Sequence, residues 1–263
     1  MEATGGYERD LRIALEAAGF AVVVHQPAEV HHFARFKRIR HKNDKSDALV
    51  IARATALSER ASRPREAVLE DLAAMMTFYE HVSDQLAQCR AFGEHAADCV
   101  KAHNDTLIES LKAKKREIEA HMIERIAAEP ALAARYDILR SIPGIGKVVG
   151  LSLLIRMPEL GTLRRGQAAS LLGVAPFDQD SGKYKGRRTV FGGRRRPRRH
   201  VYMAALGAIR TKASPFKTFA RRLSDTGKPR KVAIVAVMRK IIELANSLLM
   251  QNRSWTAQHQ TSS

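Results

Sequence analysis

Apolar positions recur at helical spacing over most of the chain. Tyr7 to Ala18 puts Leu11, Ala14, Leu15 and Ala18 on one face, and Gly19 suits the residue just past the end of such a helix. Phe20 to His25 is a short unbroken apolar run that reads as a buried strand. Pro27 fits a first helical position, and Asn43 is a good N-cap for a helix carrying Ala48, Leu49, Ile51 and Ala52. Helices around a single legible strand predict a sheet whose other strands the pattern does not supply.

From Arg63 to Pro130 the chain is almost uninterrupted helix former. Leu72, Met75, Tyr79, Val82, Leu86, Cys89, Gly93, Ala96, Val100, His103 and Leu107 step by three and four, which predicts a coiled-coil seam or a long antiparallel hairpin. The polar group His103-Asn-Asp-Thr106, with Thr106 and Glu109 as a capping box, marks the expected point of restart or reversal. Leu107, Leu111, Ile118 and Met122 continue the pattern. Such an arm serves as a spacer or dimer arm, or packs within its own protomer. Further on, Pro143-Gly-Ile-Gly146 turns tightly between two apolar helical segments. Short helices are expected over Glu159 to Leu172 and from Ser214-Pro215, and longer ones over Arg198 to Arg210 and from Arg230 to about Met250. Lys183 to Phe191 reads as strand or hairpin, and the polar tail from Asn252, with the lone Trp255, as loose. The fold class is mainly α with a partial α/β N-terminal part, divided as 1–62, 63–135 and 136–263.

Charge changes the picture more than composition does. The 263 residues are 45% hydrophobic, ample for a core, but carry a net charge of +18, which calls for a polyanionic partner, nucleic acid before an anionic membrane surface. No apolar run approaches the roughly 20 residues of a membrane span, and no leader pattern opens the chain, so the expectation is a cytoplasmic protein. Cys89, His95, Cys99 and His103 match no common zinc spacing and read as helix-face residues.

The positive charge has a focus. Lys183 to Arg199 holds nine Lys or Arg and no acid: Lys183, Lys185, Arg187, Arg188, Arg194, Arg195, Arg196, Arg198 and Arg199. Guanidinium groups match phosphate oxygens, and neutralising phosphates releases counterions, so these nine are candidates for nucleic-acid backbone contacts. Ser181 stands just before them, where cations could stabilise charge developing during its attack, although a serine in a solvated basic loop is the simpler reading. Gly144 and Gly146, with Lys147 opening the next helix, offer backbone N–H groups and a cation to a phosphate, and the turn resembles a helix-hairpin-helix element, although a Pro-Gly-x-Gly turn also serves as a plain connector. Asp44 and Asp47 share a face at a helix start. With Glu2 they are candidates for Mg²⁺, or alternatively for capping on a solvated face.

These stretches are similar to the transposases of the insertion-sequence family one-ten, the RNA-guided serine recombinases with a DEDD domain. The likeness rests on Met1-Glu-Ala-Thr-Gly-Gly-Tyr7, Lys42-Asn-Asp-Lys-Ser-Asp-Ala48, Ile142-Pro-Gly-Ile-Gly146, Leu172-Gly-Val-Ala-Pro176, Ser181-Gly182 and Gly192-Gly193. It implies a RuvC-like, ribonuclease-H-like N-terminal domain, a helical arm and a C-terminal transposase domain. It further implies Ser181 as nucleophile on DNA, Glu2, Asp44 and Asp47 as Mg²⁺ ligands, a structured guide RNA, and a homo-oligomer joined through the arm, with a composite site between protomers. The family's first Asp lies on a strand upstream of the Glu, so the chain is expected to be N-terminally truncated. Two other readings stand beside the recombinase: a non-catalytic nucleic-acid-binding remnant, and a metal-dependent nuclease that uses water.

Overall fold

The computed structural model describes residues 1–39, 43–58, 67–177, 189–212 and 214–256, which divide into two units, Met1–Glu66 and Ala67–Ser263. The fold is mainly helical, with α1 (Arg9–Ala17), α2 (Pro27–Phe36) and α3 (Asp44–Ala56) in the first unit. Asn43 caps α3 as its sequence predicts: Oδ1 accepts from Ser46 N at 2.8 Å, and Ser46 Oγ accepts in return from Asn43 N at 3.2 Å. The strand expected over Phe20 to His25 is reduced to one parallel bridge, Glu2 with His25, closed by Ala3 N to His25 O and His25 N to Met1 O, both at 2.9 Å. A parallel pair this short has few ladder bonds and no described neighbour to extend it. Val22 and His25 are buried there, but Phe20 is 64% exposed. A 2.9 Å hydrogen bond between His25 Nε2 and Thr55 Oγ1 fastens α3 to the pair. Helix α1 buries no residue, so its apolar face, with Leu11 outward, is uncovered within this unit.

The second unit contains α4 (Ala67–Gly93), α5 (Asp98–Ala127), α6 (Pro130–Ser141), α7 (Lys147–Arg156), α8 (Gln167–Leu172), β1 (Pro176–Phe177), β2 (Thr189–Val190), α9 (Arg195–Arg210), α10 (Pro215–Asp225) and α11 (Arg230–Met250). Helices α4 and α5 form a hairpin in which Leu72, Tyr79, Val82 and Leu86 are buried along with Ile118, Met122 and Ile126. The chain reverses at Glu94–Ala97 rather than at His103-Asn-Asp-Thr106. The predicted stop is consumed inside α5: Asn104 is buried and donates to Cys89 O at 3.1 Å, and Thr106 Oγ1 donates to Ala102 O at 2.9 Å. Polar groups satisfied in this way tolerate a helix interior.

Helix α7 packs on α4, α6 and α9, and Leu151, Leu153, Ile155, Val201, Ala205, Val237, Ile241 and Ala245 are sealed in a core shared by the arm and the C-terminal helices. The helix expected over Glu159 to Leu172 is only α8. Gly161 and Gly166 take left-handed φ values of +95° and +83° before it, and buried Asn246 holds the loop, accepting from Gly161 N and donating to Leu163 O. The tail is not loose as far as Thr256: Trp255 N donates to Ser141 Oγ at 2.8 Å and its ring packs on the core. No described helix is long and apolar enough to cross a membrane.

Candidate nucleic-acid interface

Ser181, with Lys183, Lys185, Arg187 and Arg188, lies outside the described residues; the stem on either side of it is described. Strands β1 and β2 pair antiparallel, Pro176 with Val190 and Phe177 with Thr189. Behind them the chain crosses itself at glycines. A Cβ on Gly173 would fall 2.2 Å from Gly192 O, and one on Gly193 would fall 2.2 Å from Gly173 N. Both have positive φ, so only glycine permits this approach. Two of the predicted backbone-contact arginines brace the crossing. Arg198 Nη1 donates to Gly192 O at 2.7 Å and to Gly173 O at 3.3 Å. Arg194 holds both carboxylate oxygens of Glu159, at 2.8 and 2.6 Å, and donates to Arg156 O. Fork-to-fork pairing of this kind fixes orientation as well as charge.

The remaining cations of α9 face outward along its first two turns. Arg195 is exposed and makes no ion pair among the described residues. Arg196 donates to Glu80 of α4, which also receives Arg156 at 3.1 Å, and Arg199 donates to Asp84 one turn further along α4 at 3.0 Å. Glu80 and Asp84 are four apart and Arg196 and Arg199 three apart, so each pair occupies one helix face. That spacing was the signal available in the sequence, and it could not be used without knowing that α4 and α9 are neighbours.

His200, also missed, is a half-buried imidazole sharing a 2.7 Å hydrogen bond between Nδ1 and the buried Ser152 Oγ. Burial first, and then Arg199, Arg156 and Lys115, push its pKa down to about 4, so it is neutral at neutral pH. Lys115 of α5 lies 4.8 Å from the centroid of the Tyr79 ring, and its pKa is lowered by burial, by Arg90 and by Arg199, against Glu119. Positive charge is therefore concentrated where Lys115 of α5 and Arg196 and Arg199 of α9 line one cleft.

At the Ile142–Gly146 turn the two glycines divide their tasks. Gly144 has φ +92°, and a Cβ there would fall 2.4 Å from Ala204 O, so it lets the turn seat on α9. Gly146 is exposed with open space around it and begins α7 with exposed Lys147 beside it.

The three acids do not converge. Glu2 sits in the bridge with His25, while Asp44 and Asp47 occupy the first turn of α3, where carboxylates complement the helix dipole. No group of three His, Cys, Asp or Glu able to hold a metal occurs among the described residues. As a Mg²⁺ ligand set within the described chain, Glu2, Asp44 and Asp47 therefore do not fit.

A net charge of +18 focused on the first turns of α9 suits a protein that acts on nucleic acid. Residues 136–221 match the transposase IS116/IS110/IS902 family, and residues 1–95 match the IS110-type DEDD transposase domain. The chain belongs to this transposase family, which supports a DNA-modifying role in transposition or recombination. It is 28% identical over 257 residues to the pilin gene-inverting proteins of Moraxella lacunata and Moraxella bovis, covering 96% of this chain and 80% of each relative.

Proposed function

We propose that this chain is a DNA strand-exchange enzyme in which Ser181 is the nucleophile. The Ser181 oxygen attacks a DNA phosphorus, the bond to one deoxyribose oxygen breaks, and that oxygen leaves protonated. The serine proton passes to a base, and the phosphodiester energy is kept in a phosphoserine link. Attack by the hydroxyl of the exchanging strand reverses the step and frees the serine. The name carried by the Moraxella relatives, gene inversion, accords with rejoining rather than simple cutting. The observation that carries the reading is the braced stem: β1, β2, the Gly173–Gly193 crossing and Arg198 fix both ends of the segment holding Ser181 at the start of a cationic helix.

The net charge of +18 and the 6% aromatic content favour contact with backbone over base reading, which suits an enzyme whose sequence choice is delegated to a paired guide RNA. Lys183, Lys185, Arg187, Arg188, Arg195 and Lys147 are the backbone-contact residues of this reading. Phe92, Val100 and Leu107, large and exposed towards the free end of the arm, favour self-association there.

Incubating the protein with DNA carrying the element ends and separating in denaturing detergent is the test. The wild type is expected to give a covalent protein–DNA adduct that Ser181→Ala lacks while keeping its affinity. Undiminished cutting by Ser181→Ala would point to a nuclease using water; binding without any cutting by the wild type would leave a binding protein.

A further inference from the structure

Two clefts of about 750 and 820 Å³ meet along α9 and share Asp84, Arg196 and Arg199. The larger one begins at the stem, against Gly173, Val174 and Val190. The other runs between α4 and α9 onto Lys115, and its character differs from a plain phosphate track. Phe78 and Met203 line it, 50% and 59% exposed, beside Val148 and the neutral His200. Phe78 and Met203 leave large apolar surface in water within a single cleft, next to cations, rather than scattered singly over the surface.

We propose that this cleft binds an unstacked nucleotide of single-stranded nucleic acid, its base against Phe78 and Met203 and its flanking phosphates on Lys115, Arg196 and Arg199. Bases stack on aromatic and apolar faces whatever their identity, and phosphates relieve the mutual repulsion of clustered cations. The volume suits the occupant, since a drug-sized ligand site is about 300–1,000 Å³. Glu80 and Asp84 do not forbid it: Glu80 receives Arg156 and Arg196 and Asp84 receives Arg199, each through a single Nη of the fork, and the charge of Lys115, Arg156, Arg196 and Arg199 exceeds that of the two carboxylates. A duplex cannot offer the same contact, because its bases are stacked and paired. The proposal rests on the nucleic-acid reading above but not on serine chemistry. Together the two clefts make a path by which a strand leaving the stem crosses α9 with one base turned into the α4–α9 gap.

The full-length protein is titrated by fluorescence anisotropy against oligo(dT), oligo(rU) and a duplex of equal length. Phe78→Ala and Met203→Ala, both at exposed positions, are expected to weaken single-strand binding about tenfold each and duplex binding less than about twofold. Met250→Ala, at an exposed position near the end of α11 and outside both clefts, is expected to change neither. Iodouracil-substituted strands are expected to photocrosslink to α4 or α9, and a preference for dT or rU assigns the occupant to DNA or RNA. Equal losses on duplex and single strand, or crosslinks confined to other helices, overturn the proposal and leave the general nucleic-acid reading standing. Failure of the wild type to bind any nucleic acid overturns both.

Discussion

At the scale of single residues, glycines and one histidine carry consequences that their neighbours do not. Gly173→Ala drives a methyl into the backbone at Gly192 O and against Arg198 Nη1 at a left-handed φ of +78°, and the backbone cannot yield as a side-chain end can. A loss of about 2–4 kcal/mol is expected in urea unfolding. Gly166→Ala, at φ +83° but facing open space, is the control and is expected to cost only about 1 kcal/mol. His200 makes stability depend on pH. Its folded pKa, about 4, lies below the usual 6.5, so between these values the unfolded chain binds more protons and stability falls as the pH falls. Full strength is present above pH 6.5, and a loss of about 2 kcal/mol is expected by pH 5. His200→Gln is expected to flatten that slope, whatever its own baseline stability. A wild-type melting temperature unchanged between pH 7.5 and 5 would contradict the burial of a neutral imidazole.

At the scale of elements, the arm separates what a linear pattern can and cannot reveal. The periodicity of Leu72, Tyr79, Val82, Leu86, Ile118 and Met122 follows from helix geometry alone, so those core positions were legible before any fold was known. The reversal was not, because His103-Asn-Asp-Thr106 carries every mark of a helix start, whereas the chain turns at Glu94–Ala97 and sinks Asn104 against Cys89 O. Only the partner helix supplies that acceptor. The same holds for Arg194 and Arg198: a run of cations predicts phosphate contacts, and nothing local says that Glu159 and two glycine carbonyls claim these two. The short parallel bridge of Glu2 with His25 marks the limit from the other side, since Phe20 to His25 has strand composition but pairs over so little length. Asn104→Ala is expected to cost about 1 kcal/mol by unpairing a buried carbonyl partner, and Met122→Ala, fully buried, about 3 kcal/mol by leaving a cavity. Both should shift the urea midpoint at constant slope, which checks that the arm unfolds with the core it shares.

At the scale of the whole molecule, net charge and its local cancellation pull in opposite directions. A chain of +18 releases counterions on meeting a polyanion, and engagement of six to ten phosphates implies a loss of about 10³- to 10⁵-fold in affinity between 50 and 200 mM salt. Within the protein, however, Glu80 and Asp84 occupy the same guanidinium faces that a phosphate would use. The Arg199–Asp84 pair is exposed on both sides and adds little to stability, about 0–1 kcal/mol, so its removal hardly affects folding, unlike that of the largely buried Glu80. It does remove an internal competitor. Asp84→Asn, whose carboxylate is largely exposed, is therefore expected to leave the melting temperature within a few degrees of wild type while tightening nucleic-acid binding several-fold at low salt. Because Arg199 then meets phosphate without first giving up a partner, the gain should fade as salt screens both interactions, and a salt titration of wild type beside Asp84→Asn reads it directly. Weaker binding by Asp84→Asn at every salt concentration would mean that the pair orients Arg199 for its ligand rather than competing with it.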